Sequence, residues 1–457
     1  MGAALFNDKS LLCNIDKPLA MMAAARLSLC LAALLPSAAA LAPPVKSVGI
    51  VGAGPAGLAL AVALEKLGDF DVTVFDQSDS LRPALGGGVQ LNSGAAVLAK
   101  LSPSLGAGLR ELESPVRRVL SRTVDGSTLL DLDLEAAILG DGRSRGAGLI
   151  DDTGAGVRAY TVMRDALQAL LRAECERTTF ELGSRVRATR RRRTGGAEVV
   201  LEDGRAVAFD VVAGCDGVRG ASRGGRPGAE PLAAVGKRVR IRWGVSSRPS
   251  RRTRDELHQW FGPGGVYCLA GSYGGRGGAK FDQCVVVSPA PAAVAAKPWE
   301  PAPDVRDAMV AQLEAAAMPR DIVDLARSCD RCFDLGAEYA NPLPPWRSDG
   351  GAVLVGDAAH CMPPFLGQGT NQAIQDAYCL ATKLAALNAG DFATVDDAVD
   401  AYEADRKFPV ARLGFNSVVL GAVETLLPEC FRDGFFRATS ALGVARFVFL
   451  DGAMPKV

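Results

Sequence analysis

Residues 46–77 read KSVGIVGAGPAGLALAVALEKLGDFDVTVFDQ, and the order of residue types in this stretch decides the fold. An apolar run of strand length meets a glycine turn, an apolar helix follows, and a second apolar run closes a βαβ unit. The turn, Gly52-Ala53-Gly54-Pro55-Ala56-Gly57, has dinucleotide-binding spacing in the context that gives the pattern meaning, after a strand and before a helix. Glycine is needed there for the tight turn, for close approach of a pyrophosphate and for packing of helix on strand. The helix N-terminus supplies N–H groups and a positive dipole. Asp76, about twenty residues past the glycines, ends the second strand and is placed to bind ribose hydroxyls. Its charge disfavours a 2′-phosphate, so FAD or NAD is expected rather than NADP.

The rest of the chain separates those two. An NAD dehydrogenase would continue through further strand–helix repeats, whereas this chain enters a loop-rich segment over 82–150 and then two alternating regions. TVMRDALQALLRAECE at 161–176 has helical spacing. Residues 183–215 alternate like a β meander, with turns at Thr194-Gly195-Gly196 and Asp203-Gly204 and a solvated tip carrying Arg190 to Arg193. A second alternating region over 236–289 predicts an antiparallel sheet, a Pro-rich linker leads to a helix near 304–317, and helical patterns close the chain. No second GxGxxG occurs, as a dedicated nicotinamide domain would show.

The stretch LVGDAAHCMPPFLGQGTNQAIQDA at 354–377 sets an aspartate and a histidine, Asp357 and His360, before a glycine turn. An acid/imidazole pair, a metal site and a cofactor cradle are each compatible with it locally. The chain has only two histidines, His258 and His360, and no GxSxG, so a catalytic base at His360 is disfavoured against a satisfied helix-start histidine. Asp357 could also cap the helix that follows it. Eleven cysteines are scattered singly apart from Cys329-x-x-Cys332, which argues for unpaired thiols and against a metal site. Trp260 and Phe261 are read as sheet core before pocket lining.

Three signatures in order, GAGPAG at 52–57, DVVAGCDGVRGASR at 210–223 and the 354–377 stretch with Gly367-Gln368-Gly369-Thr370-Asn371, resemble the single-component FAD-dependent aromatic hydroxylases and related epoxidases, the para-hydroxybenzoate hydroxylase-like family. Met163-Arg164 matches the family's intervening helix, and the resemblance covers about 45–410. It implies an α/β fold: a Rossmann-like FAD-binding domain with an inserted antiparallel-sheet substrate domain. By that resemblance FAD is bound by Gly52, Ala53, Gly54, Gly57 and Asp76, by Arg164, Arg82 and Gln90 at phosphate or ribityl oxygens, and by Asp357 at the ribitol. Asp216 and Gly217 lie near the pyrophosphate, and the loop Pro364, Gly367, Gln368, Gly369, Asn371 leads into a helix whose N–H groups face the flavin N1–C2=O edge. NAD(P)H serves as transient reductant, the reduced flavin adds O₂ at C4a, and the hydroperoxide gives one oxygen to an aromatic or isoprenoid-type small molecule. Two departures stand out: Asp76 where the family more often has glutamate, and Gly220 where serine is usual.

No catalytic side chain is named, because the flavin carries the hard chemistry. A reductase or dehydrogenase of the same fold would share every cofactor motif, and a non-catalytic nucleotide-binding protein is the alternative from another class. Basic and acidic residues balance at 51 each, so nothing calls for nucleic acid, and 48% hydrophobic residues suit a folded core. Expected divisions are 1–44, an extension with a targeting-like segment; 45–225, a first FAD-binding segment with inserted loops; 226–340, the substrate-domain sheet; 341–400, a second FAD-binding segment with the Gly-Asp motif; and 401–457, a helical region. MMAAARLSLCLAALLPSAAALAPP, from Met21, has the charged, apolar, A-x-A order of a secretory signal peptide and also resembles algal plastid leaders. It is too short and interrupted for a spanning helix. The sequence leaves oligomeric state open.

Overall fold

The structure is a computed structural model and describes residues 44–81, 87–112, 114–154, 156–224, 239–248, 255–289 and 301–457. The targeting-like segment, Arg82 and most of the Pro-rich linker lie outside the described residues.

The opening stretch forms β1 (Ser47–Val51), α1 (Pro55–Leu67) and β2 (Asp71–Phe75). β1 is the centre of a five-stranded parallel sheet, ordered β17 (Ala352–Leu354), β11 (Val211–Gly214), β1, β2, β7 (Thr179–Glu181). A parallel strand covered on both faces must be apolar along its covered length, and Val48 to Val51 of β1 carry no polar side chain. Val48 and Ile50 turn toward α1, while Val51, Val212 and Phe75 pack on a three-stranded antiparallel sheet of β8 (Val186–Arg191), β9 (Ala197–Leu201) and β10 (Ala206–Phe209). Gly49 belongs to this contact, since a Cβ there would lie 2.6 Å from the Phe209 ring. Thus the expected meander is three strands; the fourth run, β11, leaves it because its neighbour on both sides is a parallel strand. The four arginines are exposed, with Arg190 bonded to Glu198 at the end of the hairpin.

The second layer is a nine-stranded mixed sheet. Its path runs β16 (Arg331–Gly336), β12 (Val239–Ser246), β15 (Lys280–Pro289), β14 (Tyr267–Gly274), β13 (Glu256–Phe261), β4 (Arg118–Thr123), β5 (Thr128–Asp133), with β6 (Tyr160–Met163) paired to β14 and β3 (Gly88–Leu91) to β6. Strands β3 to β5 come from the segment read as loop-rich, so the sheet expected over 226–340 reaches back to residue 88. Those strands are short and carry arginines and aspartates at outward positions, which hides the period. Likewise the helix expected at 161–176 begins only at Arg164, because 160–163 is strand β6.

The helices divide between the layers. α2 (Ser93–Leu101) and α5 (Arg164–Glu174) pack against α1, α3 (Pro103–Glu111) packs against α2 and α5, and α4 (Leu134–Leu139) follows β5. α6 (Pro303–Ala315) and α7 (Arg320–Ser328) cover one face of the large sheet. After β17 come the short α8 (Asp357–His360) and the 21-residue α9 (Gly369–Ala389), which packs along α1. α10 (Val395–Leu426), started by a Thr394 side chain that accepts from the Asp397 N–H, leads to α11 (Glu429–Ala441) and α12 (Val444–Ala453). Phe261 packs between Tyr267 and Phe436 at ring distances of 5.2 and 5.0 Å, so core packing is its role.

Candidate active site

The glycine turn at the end of β1 is fixed by contacts that admit no side chain. Gly52 has φ +103°, and a Cβ there would lie 2.6 Å from the Cys215 carbonyl oxygen. At Gly57 a Cβ would stand 2.0 Å from the Gly52 oxygen, so helix and turn can meet only with glycine at both ends. Gly54 differs: the nearest atom to a Cβ there is the Arg164 guanidinium at 3.6 Å. The space in front of the α1 N-terminus therefore opens onto a cation. Ala53 is not open in this way, because its N–H donates to Asp76 Oδ2 at 2.8 Å and its carbonyl accepts from Gln168 Nε2 at 3.0 Å. Asp76 also accepts from the Ser78 N–H at 2.8 Å, which orients the carboxylate at the end of β2.

Arg164 opens α5 and is placed by its own N–H, which donates to the Gly87 carbonyl at 3.2 Å. Its guanidinium has no hydrogen-bond acceptor among the described residues. Burial lowers its proton affinity, and Asp357 and Asp76 raise it again, so the cation sits between two carboxylates that it does not bond. Asp357 is open to solvent although protein surrounds it, which places it in the wall of a cleft. That crowding pushes its carboxyl up, while His360 and Arg164 pull it down. Gly356, with φ +62°, takes the capping position, so Asp357 is the first helical residue and makes no capping bond.

The third wall is the 364–371 loop. Gly367 has φ +62°, and a Cβ there would collide with the Gln90 amide at 2.6 Å. A Cβ at Gly369, the first residue of α9, would come 3.9 Å from Asp357 Oδ1. The N-termini of α1 and α9, Arg164, Asp76 and Asp357 thus face one cleft. An unpaired cation, a helix N-terminus without a Cβ in front of it and two carboxylates suit a ligand with a pyrophosphate and hydroxylated chains.

Three residues expected at the cofactor point their side chains elsewhere. Asn371 is fully buried, with Oδ1 accepting from the N–H groups of Asn92 and Gly94, both at 2.9 Å, and Nδ2 donating to the carbonyls of Gln90 and Gly367. Its amide staples the loop to β3 and α2, and no capacity is left for a ligand. The Gln368 amide lies against Gly452 of α12. Asp216 bonds the N–H and hydroxyl of Ser222, and a Cβ on Gly220 would lie 2.0 Å from its carboxylate. The serine usual at position 220 would collide with this arrangement, so glycine there and the inward turn of Asp216 are one packing solution. The backbone of Asp216 still abuts Gly52, 3.1 Å from the position of a Cβ there. Pro364 is exposed at the start of the loop, and Gly217 takes φ +81°.

Residues 46–414 match the family model described as FAD binding domain. The chain is 28% identical over 355 residues to a 3-amino-4-hydroxybenzoate 2-monooxygenase of Streptomyces platensis, covering 75% of this chain and 80% of the relative. It is 30% identical over 335 residues to the 3-amino-4-hydroxybenzoate 2-monooxygenase of Streptomyces cremeus, covering 73% and 77%. Klebsiella pneumoniae HpxO, solved with FAD and uric acid, superposes with a TM-score of 0.70 at 20% identity, over 89% of this chain and 97% of that one.

The chain belongs to the FAD-dependent monooxygenase family.

Beneath the cleft, this monooxygenase holds a buried charge cluster that the sequence motifs do not announce. Asp376 on α9 is fully buried, with Oδ2 bonded to His360 Nε2 at 2.5 Å and to the Gly356 N–H at 3.0 Å, and Oδ1 bonded to Arg406 Nε at 2.8 Å. Burial alone would raise the Asp376 carboxyl, but His360 and Arg406 outweigh it and hold it below the ordinary value. Arg406, also fully buried, reaches Gln372 and Gln375. His360 is therefore a satisfied histidine at Nε2, though Nδ1 has no partner among the described residues. The cluster ties β17, α8, α9 and α10 together directly behind Asp357. Its signal in the sequence is an acidic residue seven positions after Gly369, among buried residues of α9, with an arginine at a buried position of the next helix.

The fold also gathers four cysteines that are dispersed in sequence. Gly244 on β12 pairs with Cys284 on one side and Cys332 on the other, and Cys329 sits over it, a Cβ at Gly244 falling 2.6 Å from its sulfur. Cys268 lies 3.5 Å, sulfur to sulfur, from Cys284. All four are buried and none is in a disulfide, and no group able to hold a metal ion occurs among the described residues.

Proposed function

We propose that this enzyme hydroxylates a small aromatic substrate carrying ring hydroxyl or amino groups, and that the cleft described above holds its FAD. The observation that carries the cofactor assignment is the unpaired Arg164 guanidinium facing the α1 N-terminus across the side-chain-free Gly54. In this reading the pyrophosphate lies between those two groups. Asp76 accepts ribose hydroxyls and Asp357 accepts ribitol hydroxyls, each with carboxylate lone pairs that backbone donors leave free. The backbone N–H groups at the start of α9 face the flavin's pyrimidine edge, where a helix N-terminus stabilises negative charge. When bound, FAD would supply the redox chemistry, hydride acceptance from NAD(P)H and insertion of one oxygen atom of O₂ into the substrate with the other reduced to water.

The chain's own tasks are binding, orientation and exclusion of water. Gln283, fully buried, accepts from the Trp243 indole N–H at 2.6 Å and the Gly88 N–H at 3.0 Å, which locks β3 to the large sheet. Gln90 is thereby held beside Gly367, and the sheet closes the cleft opposite the glycine turn. The substrate class is supported by the two Streptomyces relatives, which the chain matches over more than three quarters of their length. The test is NAD(P)H oxidation and oxygen uptake by the FAD-loaded enzyme, screened with aminohydroxybenzoates and other phenols. A product with one added oxygen is expected. Reductant consumption that no aromatic substrate stimulates, or that ends only in hydrogen peroxide, would remove the proposal.

A further inference from the structure

The family match ends at Gly414, and from Phe408 onward the chain exposes large apolar side chains more densely than anywhere else among the described residues. Every strongly exposed phenylalanine among the described residues lies on α10 to α12. On α10, Phe408, Phe415, Val419 and Leu426 are spaced by seven, four and seven residues, which puts them on one stripe. The opposite stripe, with Arg406, Val410, Leu413 and Ser417, is buried against the rest of the protein. A helix apolar on its outer side as well as its inner side has half of its apolar surface in water.

The stripe continues past α10. Exposed Leu427 and Pro428 lead directly into Phe431, 68% exposed, and then Phe435 and Leu442 on the same side of α11. Phe447 of α12, 65% exposed, lies one turn from Asp451, whose ion pair with Arg412 at 2.7 Å holds α12 beside α10 between Phe408 and Phe415. Together these side chains expose roughly 1,000 Å² of apolar surface, against a few hundred for the largest patch on an ordinary monomer. A stable dimer needs about 800 Å² from each partner.

The surroundings of the face select the occupant. Its exposed charges are of both signs, Arg437 and Arg446 beside the acidic Glu429 and Asp405, of which Asp405 pairs with Lys383 at 2.7 Å, and Lys407 is paired with Glu403. Aromatic side chains with arginine and little lysine mark a protein interface. A lipid surface calls for a basic excess and for tryptophan or tyrosine at the boundary, and α10 to α12 contain no tryptophan and one tyrosine, the fully buried Tyr402. With 51 basic and 51 acidic residues, two copies do not repel each other, and a patch holding both signs can pair with itself about a two-fold axis. We infer that the α10–α12 face is the interface of a homodimer, in which the phenylalanines of one protomer pack against those of its partner.

The experiment is sedimentation velocity of the FAD-loaded full chain over a range of concentrations, for the wild type and for Phe415→Asp and Phe431→Asp. The wild type is expected to sediment as a dimer at micromolar concentration. Each aspartate variant should raise the dimer dissociation constant by about 100-fold, as loss of an aromatic anchor does. The unfolding midpoint and flavin absorption should stay unchanged, because these side chains face water in the protomer, and Phe415→Leu should stay dimeric. A monomeric wild type, a dimer indifferent to both aspartate variants, or binding to phosphatidylcholine–phosphatidylserine vesicles that the same variants abolish would overturn the inference.

Discussion

Replacing Glu424 by glutamine should change how stability depends on pH. Glu424 lies in the last turn of α10, 1% exposed, with Oε1 accepting from Gln259 Nε2 at 3.4 Å and Oε2 unpaired among the described residues. Burial pushes its carboxyl up to about 8, from an ordinary value of 4.5, although Tyr267, Gln259 and Arg432 all favour the charged form. The unfolded chain ionises this group near 4.5 and the folded one holds its proton to about 8. Between those values the folded state binds more protons, so the contribution of Glu424 is fully present below 4.5 and is lost as pH rises through about 8. Most of that window lies between about pH 5 and about pH 9, and at about 1.4 kcal/mol per unit it costs the wild type roughly 4 kcal/mol. Glutamine has the same shape, keeps an acceptor for Gln259 and Tyr267, and does not titrate. Urea unfolding of both proteins across that range should therefore show the variant gaining on the wild type by about this amount, other groups cancelling in the difference. Parallel stability profiles for the two proteins would show that Glu424 is not held neutral, and the reasoning from its burial would fail.

Arg164→Met should weaken FAD binding by about 10- to 100-fold, the value of one or two charge-assisted hydrogen bonds, with little change in the unfolding midpoint of the apo-protein, since the guanidinium bonds no described residue. Flavin fluorescence titration measures this, and an unchanged affinity would remove the pyrophosphate from that position. Gly57→Ala should abolish FAD retention on purification, because the new methyl would stand 2.0 Å from the Gly52 oxygen. Asp376→Asn should destabilise the fold by about 3 kcal/mol in urea unfolding, as removal of one partner leaves Arg406 buried without its carboxylate. Of the nine described cysteines only Cys430 is exposed, so Cys430→Ser should remove one rapidly reacting thiol from a native thiol titration, while the four around Gly244 react only after unfolding.

The βαβ unit was legible because its signals are local. A continuous apolar strand, glycines at contacts of 2 to 3 Å and a carboxylate at the next strand end all follow from one backbone path, and the structure brings Asp76 and Arg164 to the same glycine turn. Local signals also placed Asp357 and the 364–371 loop. They could not tell which polar groups there face a ligand and which face the protein, because that depends on partners far along the chain. Asn371 is consumed by Asn92 and Gly94, about 280 residues away, and Gln368 by the C-terminal helix. Strands β3 to β6 were missed for the same reason: each is short and acquires a buried face only within a sheet whose other strands lie up to a hundred residues and more along the chain.

The histidine beside Asp357 shows what such long-range partners do to a site. Read alone, Asp357 and His360 invite an acid/imidazole mechanism. In the fold His360 spends Nε2 on Asp376, which also holds the Gly356 N–H and Arg406, so the ring is fixed away from the cleft in a network with no exposed member. The same aspartate that removes the histidine from chemistry anchors the positive-φ glycine immediately before Asp357. The exposed carboxylate is thus presented by a buried one, and the orientation of Asp357 in the cleft depends on a residue that touches no ligand. Loss of Asp376 should consequently weaken flavin binding as well as stability, and an asparagine variant that kept wild-type FAD affinity while losing stability would separate the two roles.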